Sequence, residues 1–441
     1  MNTDDVTAIL RRHVDPGLEA VGVTRGAVGN SQETWFVEAR TAAGGRRDLV
    51  LRRSAPAGVL AWTDREHECT VLGALAGRGL PVPGVLALGV EERPFLVMER
   101  LPGAPPGRLP VGERRALGRE LGTWLARLHA LDPAELGLAA DGSAAAATLR
   151  QIQRYQALYR SARPTAVPLL GALLAWAERN RPDDATAPVV LWGDPGAHNL
   201  LVEAGRISGL LDWELTHVGD PLDDLGAAVW SCLGSLEPDD VVAGYEEVAG
   251  AVDRERLSYF VTLACATRSV MVVNGTAAWI DGLVDAPSNA ALGLELLALD
   301  LARGARAAGW GDLPPSDGRP PDYPLRPDPA ETARGLARWL LQEVVPEERD
   351  RRRRGMAKRA AALLEVTAAR TPPAPGRDPE AAELAAVAAE LSGGDPSLRR
   401  ALLADLAREV DRLGPLARLH GHPAPVRGPT AGGSGGDQRR S

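Results

Sequence analysis

Two carboxylates and an amide sit at the ends of apolar runs near the middle of this chain. The run Val189–Trp192 leads through Gly193 to Asp194, and Asn199 follows five residues later. A second run, Ile207–Leu211, ends directly on Asp212. This set of groups suits magnesium-assisted phosphoryl transfer. One carboxylate orients or deprotonates an attacking hydroxyl. The amide and the other carboxylate hold hard, oxygen-loving metal ions against nucleotide phosphates. An Asp, four intervening residues, an Asn and then an Asp leaving a strand is the order of a kinase catalytic loop and its metal-binding Asp.

Such a site needs a phosphate-binding roof, and the first hundred residues have its pattern. Thr3–His13 reads as a short amphipathic helix. Strands are predicted at Val23–Gly29, Ser31–Glu38 and Asp48–Arg52, with Gly29, Asn30 and Ser31 at the first turn. Small side chains there let backbone N–H groups approach phosphates. Arg52 places a cation on the third strand, where kinases carry a Lys that pairs phosphates with a helix Glu. The only Lys is Lys358, so Arg must serve in the first 357 residues. Its planar fork can clamp a phosphate bidentately. The following helix, Thr63–Arg78, offers Glu68 as the partner of Arg52 by register to Val71, Leu72 and Leu75, with Glu66 second. Strands at Val85–Val90 and Phe95–Glu99 then run into Arg100–Gly103. Glu99 and Leu101 fall where a kinase hinge offers backbone groups to adenine.

Further on the pattern is helical: Arg114–Leu131, Leu169–Arg179, Leu222–Leu233, Val241–Ala251, Arg256–Asn274 and Ala290–Ala308. His129 reads as a packing or capping residue. Arg268, alone in the apolar Tyr259–Val273 stretch, suits either an anionic substrate or a core acid such as Asp223. The Pro-, Gly- and Asp-rich stretch Gly309–Pro329 is a linker by composition. Amphipathic helices are predicted beyond it at Pro329–Val345, Glu347–Ala369, Pro379–Gly393 and Pro396–Leu413, with Arg351–Arg354 a solvated face. From Gly421 the composition is that of a disordered tail.

At 441 residues the chain exceeds one compact core. A formal charge of −8 argues against nucleic acid as the partner. Cys69, Cys232 and Cys265 lack zinc-ligand spacing and read as buried free thiols in a reducing cytosol. The acidic N-terminus has no signal-peptide form, and Tyr259–Ile280 is interrupted by Arg268 and Asn274, so no membrane span is expected. These features predict a cytoplasmic protein.

The ordered set (turn, Arg on strand three, helix Glu, VMERLPG, GDxxxxN, LDWE and GDPxxDL) resembles the aminoglycoside-phosphotransferase-like kinases over residues 20–310. The segments LVLRRSAPAG, RGLPVPGVLALG and LLDWELTHVGDPLDDLG are most similar to the kinase domain of acyl-CoA dehydrogenase fusion proteins. The resemblance implies an α+β, two-lobed protein-kinase-like fold using ATP and Mg2+. It divides the chain into an N-lobe at 1–101, a C-lobe at 102–312, a linker at 313–329, a helical domain at 330–412 and a disordered tail at 413–441. It implies Asp194 as catalytic base, Asn199 and Asp212 as metal ligands, Arg52 with Glu68 as phosphate clamp and Asp224 as brace of the catalytic loop. The acceptor implied is a small hydroxylated molecule, a hydroxyacyl-CoA or related acid. Aminoglycoside or macrolide resistance and a degenerate nucleotide-binding scaffold stand as alternatives, and the oligomeric state is left open. Two positions depart from the family: Trp192 replaces the usual His before Gly-Asp, and Pro195–His198 lacks the Arg of the nearest subgroup, for which His198 is a substitute donor or a solvent-facing residue.

Overall fold

The structure, a computed structural model, describes residues 1–26, 32–54, 63–140, 142–161, 167–183, 186–232, 235–280, 297, 300–311, 329–349, 351–370 and 403–404. The Gly29-Asn30-Ser31 turn, the linker at 313–328, the helix predicted at Pro379–Gly393, nearly all of Pro396–Leu413 and the tail lie outside them.

The N-terminal lobe is an antiparallel sheet of β1 (Glu19–Arg25), β2 (Gln32–Arg40), β3 (Arg46–Ser54), β4 (Val85–Gly89) and β5 (Phe95–Glu99), in the order β1-β2-β3-β5-β4. Helix α1 (Thr3–His13) opens on an Asn2–Asp5 capping box and buries Val6 and Leu10. It covers a face built from Trp35, Val37, Leu49, Leu51, Phe95 and Val97. Helix α2 (Arg65–Leu75) lays Val71, Leu72 and Leu75 on the opposite side, against Leu96 and Met98. Strand β5 is therefore buried on both faces, which explains its unbroken apolar run.

The C-terminal lobe is helical: α3 (Val111–His129), α4 (Ala144–Ser161), α5 (Pro168–Arg179), α6 (Pro221–Ser231), α7 (Pro238–Ala249) and α8 (Arg254–Ile280). Helices α3 and α7 meet backbone to backbone. A Cβ at Gly122 would lie 2.0 Å from the Val241 carbonyl, and one at Gly244 equally close to that of Arg119. This lobe also carries two short antiparallel pairs: β6 (Val189–Leu191) with β9 (His217–Gly219), and, between them in the chain, the hairpin of β7 (Leu200–Glu203) and β8 (Arg206–Leu210). The lobes are stitched by the Leu210 amide donating to the Pro81 carbonyl at 2.7 Å, and an Ala104–Val202 bridge ties the segment after β5 to the C-terminal lobe.

One expectation changes here. Helix α8 is in fact long and apolar enough to cross a membrane by length and composition. However, 72% of its apolar window is buried, and it is the central helix of this lobe. Arg268 does not interrupt it because the side chain has a buried partner, described below. Beyond the linker, α9 (Pro329–Trp339) and α10 (Arg351–Arg370) form a hairpin. Gly335 receives the Trp279 ring at the end of α8, and Arg338 donates to the Trp279 carbonyl at 2.7 Å. The three cysteines are free, Cys232 and Cys265 buried and Cys69 half-buried.

Candidate active site

The loop after β6 is held by its backbone before any side chain acts. Asp224, in the first turn of α6, accepts the amides of Trp192 at 2.6 Å and Gly193 at 2.8 Å. The buried His129 lies 3.2 Å from the same carboxylate through Nε2, and 3.0 Å from the Tyr245 hydroxyl through Nδ1. Gly193 adopts φ +88°, and a Cβ there would lie 2.4 Å from the Leu215 carbonyl, so the tight turn into Asp194 requires glycine. Asn199 closes the loop by donating its side-chain amide to the Asp194 carbonyl at 3.0 Å, which leaves its Oδ1 as an acceptor. Its own carbonyl accepts from Leu211 at 2.8 Å, linking the catalytic loop to the segment that carries Asp212.

Trp192 does more than fill space. Its fully buried indole stacks on Trp213 with centroids 5.3 Å apart. Its Nε1–H donates to the carbonyls of Leu211 at 3.0 Å and Asp212 at 3.2 Å. Asp212 has φ +63°, a left-handed conformation costly for a residue with a Cβ. The indole thus anchors a strained backbone, supplying both the packing and the hydrogen bond of the usual His.

Arg52 bridges the lobes. It donates to Glu68 Oε1 at 2.9 Å and to Asp212 Oδ1 at 2.7 Å. Glu68 is fully buried, and its other oxygen is taken by Arg65, which also reaches Glu214 at 2.7 Å. Gln32 donates to the same Glu214 oxygen. Burial by itself lowers the pKa of Arg52, but Asp212, Glu68 and Glu214 together outweigh it and hold the guanidinium charged. Burial, with Asp212 beside it, raises that of Glu214.

Asp194 points one oxygen at Arg268 and the other at His198. Arg268 of α8 pairs with Oδ1, and His198 Nε2 lies 3.2 Å from Oδ2. Burial alone would raise the carboxyl pKa, but Arg268 and then His198 overcome it and hold it well below the usual carboxylate range. Arg268 also lies over the Trp230 ring at 4.7 Å. The indole N–H of Trp230 donates at 2.6 Å to Asp300, a fully buried acid that burial pushes up to about 8.

The fold thus gathers Asp194, Asn199, Asp212, Arg52 and Glu68 into one cleft, while Glu66 is exposed on the far side of α2. Glu99 ends β5 and Leu101 lies in the segment that follows it into the C-terminal lobe. The Glu99 amide is committed to the Gly84 carbonyl at 2.9 Å and its side chain is exposed. Arg65, Gln32 and Glu214 were not legible as site residues. Arg268 stands out in the sequence as a lone cation in an apolar helix, but its partner is Asp194 rather than the expected Asp223 or anionic substrate. No group of three or more His, Cys, Asp or Glu forms a metal cage among the described residues. Asn199 Oδ1 and the Asp212 carboxylate are nonetheless two hard oxygen donors, on segments joined by the Leu211–Asn199 backbone hydrogen bond. That set fits Mg2+, which keeps several waters and takes its remaining ligands from nucleotide phosphates.

Residues 22–260, just over half the chain, match the profile of the phosphotransferase enzyme family. Acyl-CoA dehydrogenase family member 10 of Mus musculus is 31% identical over 224 residues, 48% of this chain and 20% of that protein. Member 11 of Rattus norvegicus is 32% identical over 239 residues, 49% of this chain and 29% of that protein. The chain thus spans less than a third of the length of these relatives. Viomycin phosphotransferase of Streptomyces vinaceus is 30% identical over 178 residues, 36% of this chain and 59% of that protein. Among solved structures, a candidate aminoglycoside phosphotransferase of Ralstonia eutropha shares the fold with TM-score 0.53 at 22% identity, covering 70% of this chain and 98% of that one. A spectinomycin phosphotransferase solved with ADP and spectinomycin gives TM-score 0.50 at 13% identity, with the same coverage. The sequence match and the two-lobed fold agree, and the chain belongs to the phosphotransferase enzyme family.

Proposed function

We propose that the protein moves the γ-phosphoryl group of ATP to a hydroxyl of a small metabolite, with a hydroxyacyl-CoA or related hydroxylated acid as acceptor. The observation that carries this reading is the convergence of Asp194, Asn199, Asp212 and the Arg52–Glu68 pair from both lobes on one cleft. Asp194 accepts the proton of the acceptor hydroxyl as the oxygen–phosphorus bond forms and ADP leaves. A carboxylate has lone pairs enough to do so while Arg268 and His198 hold it. It needs no raised pKa, because phosphoryl transfer depends on positioning and charge neutralisation. Asn199 and Asp212 would hold Mg2+, which would neutralise phosphate charge, and Arg52 would guide the phosphates. The acyl-CoA assignment is supported by the relatives in which this kind of domain accompanies an acyl-CoA dehydrogenase.

ATP turnover against a panel of hydroxylated metabolites tests the reading. Asp194→Ala is expected to lose turnover by a factor of about 100 to 10,000 while still binding nucleotide. A wild type that binds nucleotide but turns over none of the panel, with identical binding in Asp194→Ala, would instead establish a nucleotide-binding scaffold. The likeness to viomycin phosphotransferase keeps a resistance kinase as second reading. Expression in a sensitive host without gain of resistance removes it.

A further inference from the structure

Two acids flank Trp213, and both reach across to the N-terminal lobe. Trp213 itself is rooted in the C-terminal lobe. It is fully buried, stacks on Trp192 and donates its indole N–H to the Leu210 carbonyl at 2.9 Å. Asp212, before it, takes Arg52 of β3. Glu214, after it, takes two further N-terminal elements on one oxygen, Oε2. These are Arg65 of α2, at 2.7 Å, and the side-chain amide of Gln32, the first residue of β2. Gln32 stands two residues before Thr34, which lies directly across from Arg52. Gln32 and Arg52 therefore share one face of the sheet.

These contacts close into a ring. Arg52 holds Glu68, and Glu68 gives its other oxygen to Arg65. Arg65 holds Glu214, and the chain returns from Glu214 through Trp213 to Asp212 and Arg52. Gln32, Arg65, Glu68 and Glu214 are all buried. A desolvated charge cannot swing out without leaving its neighbour unpaired, so such a ring transmits position from one member to the next.

We infer that Glu214 is a positioning residue: it fixes β2 and α2 over the Asp212 segment and so sets the register between the lobes in which Arg52 and Asp212 meet nucleotide phosphates. The inference rests on the phosphotransferase reading above and adds to it a residue that acts through others. The ring also defines what Glu214 must supply. Arg65 and Gln32 both use the same oxygen, so an acceptor at that place is essential. The negative charge is not, because the ring sets Glu68, Asp212 and Glu214 against Arg52 and Arg65 and is balanced without it.

ADP binding to the full chain, measured calorimetrically, tests this with three variants. Glu214→Ala removes both arms and is expected to weaken ADP binding about tenfold or more. Gln32→Leu removes only the β2 arm, one hydrogen bond, and is expected to weaken it about threefold or more. Glu214→Gln keeps the shared acceptor and is expected to bind ADP nearly as the wild type does. A purely structural Glu214 would lower the urea midpoint and leave the ADP affinity of the folded protein unmoved. Wild-type ADP affinity in Glu214→Ala or in Gln32→Leu therefore overturns the inference, as does an equal loss in Glu214→Gln and Glu214→Ala. If Glu214→Ala does not fold, Gln32→Leu decides alone. A wild type that binds no ADP removes the phosphotransferase reading as well.

Discussion

Asp194 carries opposing influences that can be separated by mutation. Burial raises its pKa, and Arg268 is the larger of the two influences that lower it. The acid limb of kcat/KM therefore lies below the ordinary carboxylate range, near 4. A carboxyl with a depressed pKa also contributes stability above its unfolded value and loses it only as pH falls through the folded one. Removing Arg268 leaves burial and His198 alone, so Arg268→Gln is expected to move the acid limb to higher pH by about a unit or more. A pH–rate profile of the two proteins checks this, and superimposable acid limbs would refute it. The type and spacing of Asp194, Asn199 and Asp212 were legible in the sequence because a catalytic loop is a local structure. Arg268 lies 74 residues from Asp194, and no local pattern could choose its partner.

At the scale of elements, the catalytic loop depends on the start of α6. Asp224 accepts two backbone amides from Trp192 and Gly193 and faces His129. Hydrogen bonds to a charged acceptor are each worth about 1.5–3 kcal/mol. Asp224→Ala is therefore expected to cost about 3 kcal/mol in urea unfolding and to lower kcat at least tenfold, because Asp194 then hangs from an untethered loop. A stability loss without a kcat loss would show that the loop is positioned from elsewhere. The boundaries agree unevenly with the expected ones: β1 runs Glu19–Arg25 rather than Val23–Gly29, and α8 continues past Asn274 to Ile280. Phe95–Glu99 matches at both limits, since an apolar run bounded by Pro94 and a hinge has few alternatives. The sheet order β1-β2-β3-β5-β4 was not legible, because which strand adjoins which is decided by the face α2 covers.

Across the whole molecule, α8 joins the parts: Arg268 at its middle holds Asp194, and Trp279 near its end seats α9. Beside it, Asp300 is buried with Oδ2 lacking a hydrogen-bond partner among the described residues, and its pKa is about 8 against about 4 when unfolded. Between those values the folded state holds the extra proton, so the stability this group contributes is present below pH 4 and drains as pH rises towards 8. Its limiting slope is about 1.4 kcal/mol per pH unit. Asp300→Asn keeps an acceptor for Trp230 and removes the titration. The variant should match the wild type near pH 4 and exceed it increasingly up to pH 8 in denaturant titrations. Parallel curves would show that Asp300 is ionised throughout.

What the sequence determined by itself is the chemistry: two carboxylates and an amide at kinase spacing, a cation on the third strand, and an ordered motif set marking a two-lobed phosphotransferase. These signals are short-range, each held within a strand–turn–strand or a single helix. Only the tertiary structure decided that Arg52 touches Glu68 and Asp212 together, that Trp192 props the left-handed Asp212, that Arg268 belongs to Asp194, and that Gln32 and Arg65 meet on Glu214. Buried charges must be paired, but the rule leaves the partner open; the crossing of α8 and α2 around the catalytic loop selects it.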